Sequence, residues 1–219
     1  MAIRDAIRDR LKGFDLTAAI LFGSFVEKRE RRDIDVMIVL DEMGEIARIR
    51  DALSLINNQI DPTFVTVATF EENISIGNPF YLNVLDGEPV IGGEYLEQCR
   101  ERAGRPSEEI IRRYLDLSIR AYERAKESQE YFDCYVSCKF LIEHLMMKRG
   151  MYVTDPRQYD SYLTELDLPM NQGSCDVLSR ILMHRRGDVE LCEGDIEHGV
   201  RIVEKMIEWI LIGCNTKMD

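Results

Sequence analysis

The spacing of apolar residues changes near the middle of this chain. Up to about residue 103, short apolar runs of strand type alternate with stretches of helical spacing, whereas beyond it the 3.6-residue period of amphipathic helices dominates. One kind of layer cannot satisfy both patterns. The first half needs a sheet covered by helices, and the second half needs a core of helix against helix. The sequence therefore predicts an α+β fold in two domains. Residues 1–103 form a small mixed β-sheet with flanking helices, and residues 104–219 form an all-α up-and-down bundle. Gly104 and Pro106, with Ser107 placed as a helix N-cap, mark the join. A chain of 219 residues buries enough surface for two such cores without disulfide staples.

In the first domain the pattern predicts helices at about 2–12, 43–58, 79–85 and 94–102, and strands at about 17–22, 34–40, 61–67 and 87–91. In the second it predicts helices at about 107–129, 130–149, 157–165, 172–185 and 194–213, with a loop through Asp155 and Pro156. The apolar stretch 206–214 is interrupted by Glu208 and falls short of the roughly 20 residues a bilayer span requires. At the N-terminus, Ile3, Ile7 and Leu11 recur at helical spacing among charges, which reads as an amphipathic helix and not as an export signal. Six scattered cysteines with no Cys-x-x-Cys unit fit reduced thiols in a cytoplasmic protein. Cys134 and Cys138, one helical turn apart, read as core residues and not as half of a zinc site with His144.

Charge narrows the function classes. With 28 basic against 40 acidic residues, the net charge of −12 disfavours bulk nucleic-acid binding. The chemistry-bearing residues lie in the first domain. The strand Ala18-Ala19-Ile20-Leu21-Phe22 runs into Gly23-Ser24, where a flexible backbone turn and a hydroxyl suit a phosphate group. Asp33 and Asp35 open the next strand at i and i+2, so both carboxylates face one side of the sheet. Like charges so placed favour a hard divalent cation such as Mg²⁺, which is commonly held by one or two carboxylates together with substrate phosphates. Asp61, held extended by Pro62, brings a third acid to the start of another strand, suited to completing a metal site or taking a proton from an attacking hydroxyl. The basic run 28–32 reads either as a phosphate contact or as a solvated loop.

Leu21-Phe22-Gly23-Ser24 followed by Asp33-Ile34-Asp35-Val36 resembles the signature of the polymerase-β-like nucleotidyltransferase superfamily, including its minimal and kanamycin-type members. The resemblance implies that Gly23 and Ser24 hold a nucleoside triphosphate, that Asp33 and Asp35 bind Mg²⁺, and that Asp61 is the third acid. It implies transfer of a nucleoside monophosphate to a hydroxyl acceptor with release of pyrophosphate. The second half, through Leu163-Thr164-Glu165 to Trp209, is similar to the helical domain of kanamycin-type enzymes. That likeness places Glu123 and Lys126 toward the nucleotide, and it implies a cleft between domains and a possible homodimer. The same helices resemble a HEPN-type domain, in which Arg180 and His184 would be the ribonuclease pair, although their spacing departs from that family's. The segment 25–32 is shorter than is usual in the nucleotidyltransferases, and Lys28 stands where a turn glycine is common. These departures support the alternative of a nucleotide-binding regulatory or antitoxin-like module with weak catalysis.

Overall fold

The computed structural model describes residues 3–23, 33–151, 159–166, 168, 170–185, 187 and 189–212. The fold is α+β, and the chain divides into two compact units, Met1–Ser107 and Glu108–Asp219. In the first unit the elements are α1 (Ile3–Leu11), β1 (Ala18–Phe22), β2 (Ile34–Leu40), a 3₁₀ turn at Met43–Glu45, α2 (Ile46–Ser54) and β3 (Ile60–Thr66). They are followed by α3 (Val67–Ser75), α4 (Pro79–Leu85), β4 (Glu88–Ile91) and α5 (Gly93–Glu101).

The sheet has the order β3-β2-β1-β4 and is mixed. β1 pairs antiparallel with β2 and β4, and β2 pairs parallel with β3. A parallel pair needs a crossover, and α2 supplies it. Side-chain alternation then sorts the strands into two faces. Ala19, Leu21, Val36, Ile38 and Leu40 pack against Ile7 and Leu11 of α1 and Ile49 and Leu53 of α2. On the other face Ala18, Ile20, Met37, Val39 and Val65 meet Phe70 and Ile74 of α3, Leu82 and Leu85 of α4, and Leu96 of α5. Position 35 belongs to this second face, two residues before Met37.

Two elements differ from the sequence expectation. α2 ends at Ser54 and does not run on to 58, because the Asn57 side chain accepts a 2.9 Å bond from the Gln59 N–H and turns the chain into β3. α3 is a helix the apolar pattern did not mark. Thr66, the last residue of β3, is also its N-cap: its Oγ1 accepts from the Thr69 N–H at 3.2 Å, so the strand passes into the helix with no loop between. The segment 104–107, expected to be a linker, is bonded back onto the first unit. Gly104 N–H donates to Ile74 O at 3.0 Å and Ser107 N–H to Ile76 O at 2.9 Å.

The second unit consists of α6 (Glu108–Ser128), α7 (Tyr131–Lys148), α8 (Tyr159–Leu166), α9 (Gln172–His184) and α10 (Asp195–Ile212). α7 touches all four of the others, and it accordingly buries residues around its whole circumference, from Cys134 to Met147. Where α6 and α7 cross, Ser118 and Ser137 exchange hydroxyl-to-carbonyl bonds of 2.9 and 3.0 Å, which satisfies four buried polar groups at once. His144 is buried, with Nδ1 2.7 Å from the Ile111 carbonyl, a packing role. Among the described residues no helix is long and apolar enough to cross a membrane.

α10 begins on a charged anchor. Arg180 donates from Nε and Nη2 to the two Asp195 oxygens at 2.9 and 2.8 Å, and the Cys192 N–H donates to Asp195 Oδ2 at 2.8 Å. Bonding to the Arg180 guanidinium holds the Asp195 carboxyl below its ordinary range. The stabilisation is therefore complete above the unfolded carboxylate value near about 4 and is lost as pH falls through the lowered folded value. Asp195→Asn removes the charge-assisted bonds and is expected to cost about 2 kcal/mol near neutrality. Denaturant melts at pH 7 and pH 3 check this: the gap between wild type and variant should shrink at the lower pH.

Candidate active site

The acids gather where β1 ends and β2 begins. In the antiparallel register Phe22 lies opposite Asp35, so Gly23 leaves the sheet beside that carboxylate. Gly23 has φ +68, and a Cβ on it would sit 2.6 Å from Asp35 Oδ2. Any other residue would therefore meet both backbone strain and a collision with the acid. In the parallel register Asp35 lies opposite Asp61, which puts the two side chains on one face of neighbouring strands. Asp33 precedes Asp35 by two residues, at the mouth of the same strand.

Electrostatics agree with this placement. Asp35 is half-buried, while Asp33 and Asp61 are exposed. Burial is the first cause that pushes the Asp35 carboxyl above its ordinary range, and the charges of Asp61 and Asp33 push it further in the same direction. Asp35 and Asp61 thus share one end of one sheet face, with Asp33 just ahead of the strand, and the inner acid bears both its burial and the charge of the other two. Among the described residues no three His, Cys, Asp or Glu side chains are grouped closely enough to hold a metal ion alone. The donor set fits a hard cation held by one or two carboxylates that takes its remaining oxygens from substrate phosphates.

The structure brings together Gly23, Asp33, Asp35 and Asp61 of the expected site residues. Ser24 and the basic run 28–32 lie outside the described residues. Lys126 is in the second unit, on α6, where its ammonium is 2.7 Å from Glu204 Oε1 and donates to the Tyr122 hydroxyl at 3.0 Å. Tyr122 in turn donates to Glu204, and the lysine is held protonated by both partners. Glu123 is exposed on the same helix. Arg180 is bound to Asp195, and His184 Nδ1 is 2.8 Å from the Val189 carbonyl, so each has a partner within its own unit.

One neighbouring feature escaped the sequence reading. Phe22, beside Asp35, makes a perpendicular ring contact with Phe80 at 5.8 Å, and Phe80 makes another with Tyr81 at 5.3 Å. The signal was Asn78-Pro79, an N-cap followed by proline at the first helical position, which places the next residue on a fixed turn.

No family model matches the sequence, and no curated protein matches it significantly. Among solved structures, a nucleotidyltransferase-like protein from Exiguobacterium sibiricum 255-15 aligns with a TM-score of 0.46 and 10% identity, over 97% of this chain and 77% of that one. A likeness at that level fixes neither the family nor the activity of this chain.

Proposed function

We propose that the first unit is a magnesium-dependent nucleotidyltransferase that passes a nucleoside monophosphate from a nucleoside triphosphate to a hydroxyl acceptor. The observation that carries this reading is the register of Asp35 against Asp61, with Asp33 just ahead of β2. Burial first, and then the charges of Asp61 and Asp33, raise the Asp35 carboxyl, and positive charge beside it would relieve that cost. Asp33 and Asp35 would hold the cation. When bound it would polarise the phosphate oxygens and offset the charge that builds on them.

The chain's own residues would do the rest. The backbone at Gly23 would meet the phosphates beside Asp35, and the sequence offers the Ser24 hydroxyl next to it. Asp61 accepts the proton of the acceptor hydroxyl. The acceptor oxygen forms a bond to the α-phosphorus, the bond from that phosphorus to the α,β-bridging oxygen breaks, and pyrophosphate leaves with the electron pair. Nothing in this scheme needs Lys126, whose charge Glu204 already meets.

The test is pyrophosphate release by the purified full-length chain with magnesium, each common nucleoside triphosphate, and a panel of hydroxyl-bearing acceptors including its own side chains. Release that requires magnesium supports the proposal. Tight nucleotide binding with no turnover across the panel would instead favour the regulatory module, and no binding at all would remove both.

A further inference from the structure

Asp35 and Asp61 lie on the same face of the sheet as Phe22, which, like Tyr81 and Tyr95, packs on the α3–α5 side. Phe22 stands directly across from Asp35 in the β1–β2 register, and cross-strand neighbours of that kind have Cβ atoms about 5 Å apart. The Phe80 ring lies 5.8 Å from that of Phe22 and perpendicular to it. Phe22 is thus the one residue between the Phe80 ring and the Asp35 carboxylate, cross-strand neighbour of the acid and ring neighbour of Phe80. Phe80 is 41% exposed, and among the described phenylalanines of this unit it alone is classed as exposed.

Its position is fixed from three directions. The Asn78 side chain accepts from the Phe80 N–H at 3.1 Å and itself donates to Asn73 Oδ1 at 2.8 Å, tying the start of α4 to α3. Phe22 and Tyr81 both meet the ring at right angles, with interplanar angles of 85° and 88°. An exposed ring costs hydration free energy, and a ring held in one orientation loses little further freedom when a flat partner lies against it. We propose that Phe80 is the stacking platform for the base of the nucleotide whose phosphates meet Gly23 and the acids. This rests on the nucleotidyltransferase reading and adds the base subsite to it. Stacking on a single ring is tolerant of sequence because every base has a π-face, so the platform binds purines and pyrimidines in order of stacking strength and not by hydrogen-bond pattern.

Calorimetric titration of the full chain separates the two levels of inference. The probes are the common nucleoside triphosphates and inorganic tripolyphosphate, each with magnesium, on wild type, Phe80→Ala, Phe80→Leu, Phe80→Trp and Asp35→Asn. The expected result is that Phe80→Ala and Phe80→Leu each weaken nucleoside triphosphate binding about tenfold while changing tripolyphosphate binding less than about twofold. Phe80→Trp should keep nucleotide affinity, and its added indole fluorescence should be quenched by nucleotide. Asp35→Asn should weaken both ligands. Unchanged nucleotide affinity in both Phe80→Ala and Phe80→Leu, with binding lost in Asp35→Asn, would overturn the platform and leave the transferase reading standing. Equal loss of nucleotide and tripolyphosphate would also overturn it, since the ring would then act by positioning the acids. If the wild type binds neither probe, both readings fall together.

Discussion

Replacing Asp35 with Asn is expected to lower magnesium-dependent nucleotide transfer by about 10³-fold while leaving the protein at least as stable as before. The two effects share a cause. Asp35 is the inner member of the acid trio, half-buried and raised by burial and by the charges of Asp61 and Asp33, so under the proposed function its charge would serve ligand binding at the expense of the empty fold. Asn keeps the shape and removes the repulsion. Since the group is partly solvated, the gain is small, about 0.5 kcal/mol after screening. Thermal melts in chelator and in magnesium provide a readout apart from turnover. Magnesium should raise the midpoint of the wild type through preferential binding to the native state, and should move the variant less. An Asp35→Asn protein that transfers nucleotide at the wild-type rate would sink the proposed function.

Gly77→Ala should give the largest loss of stability among single-methyl changes in the first unit. Gly77 has φ +70, and a Cβ there would lie 2.1 Å from the Arg105 carbonyl carbon and 2.3 Å from both Arg105 O and Pro106 N. Those are backbone atoms, so no rotamer change relieves the clash. The segment that carries them is itself bonded to Ile74 of α3 through Gly104 and to Ile76, the residue after the helix, through Ser107. Left-handed strain and displacement together are expected to cost about 3 kcal/mol, or about 10 °C in the thermal midpoint. Because Gly77 sits at the joint from which Asn78 and Phe80 project, nucleotide affinity should fall even where the variant remains folded. A melt within a degree of wild type would show that the chain does not pass so closely over this glycine.

How far the sequence could be read depends on how local each cause is. β1 and β2 were legible because their apolar runs are short and bounded, and α4 because proline and asparagine fix its start. α3 was not, since Val65-Thr66-Val67 is β-branched throughout and the cap on Thr69 acts inside what looks like strand. The i, i+2 spacing of Asp33 and Asp35 points both to one side of a strand, but β2 begins at Ile34, so only Asp35 takes its side from the strand. That Asp61 stands against Asp35 could not be read from spacing, because it depends on a parallel pairing made through the α2 crossover. Lys126 is a similar case: the residue that engages it, Glu204, lies on α10, and no local rule connects the two. Phe80 is marked in the chain only by the Asn78-Pro79 start of its helix, because the exposure of a phenylalanine is a property of the folded surface.

The pairing of β2 with β3 has one more implication, for variants nowhere near the acids. Since successive residues of a strand point to opposite sides, sliding β3 by a single step would swing Asp61 round to the α1–α2 side and turn Ile60 and Phe64 toward α3. The apolar packing of Val65 on one side and Phe64 on the other is what resists that slide. Oily side chains at the far end of an edge strand thus latch the direction in which Asp61 points, and under the proposed function loosening them would silence the chemistry without altering any polar group.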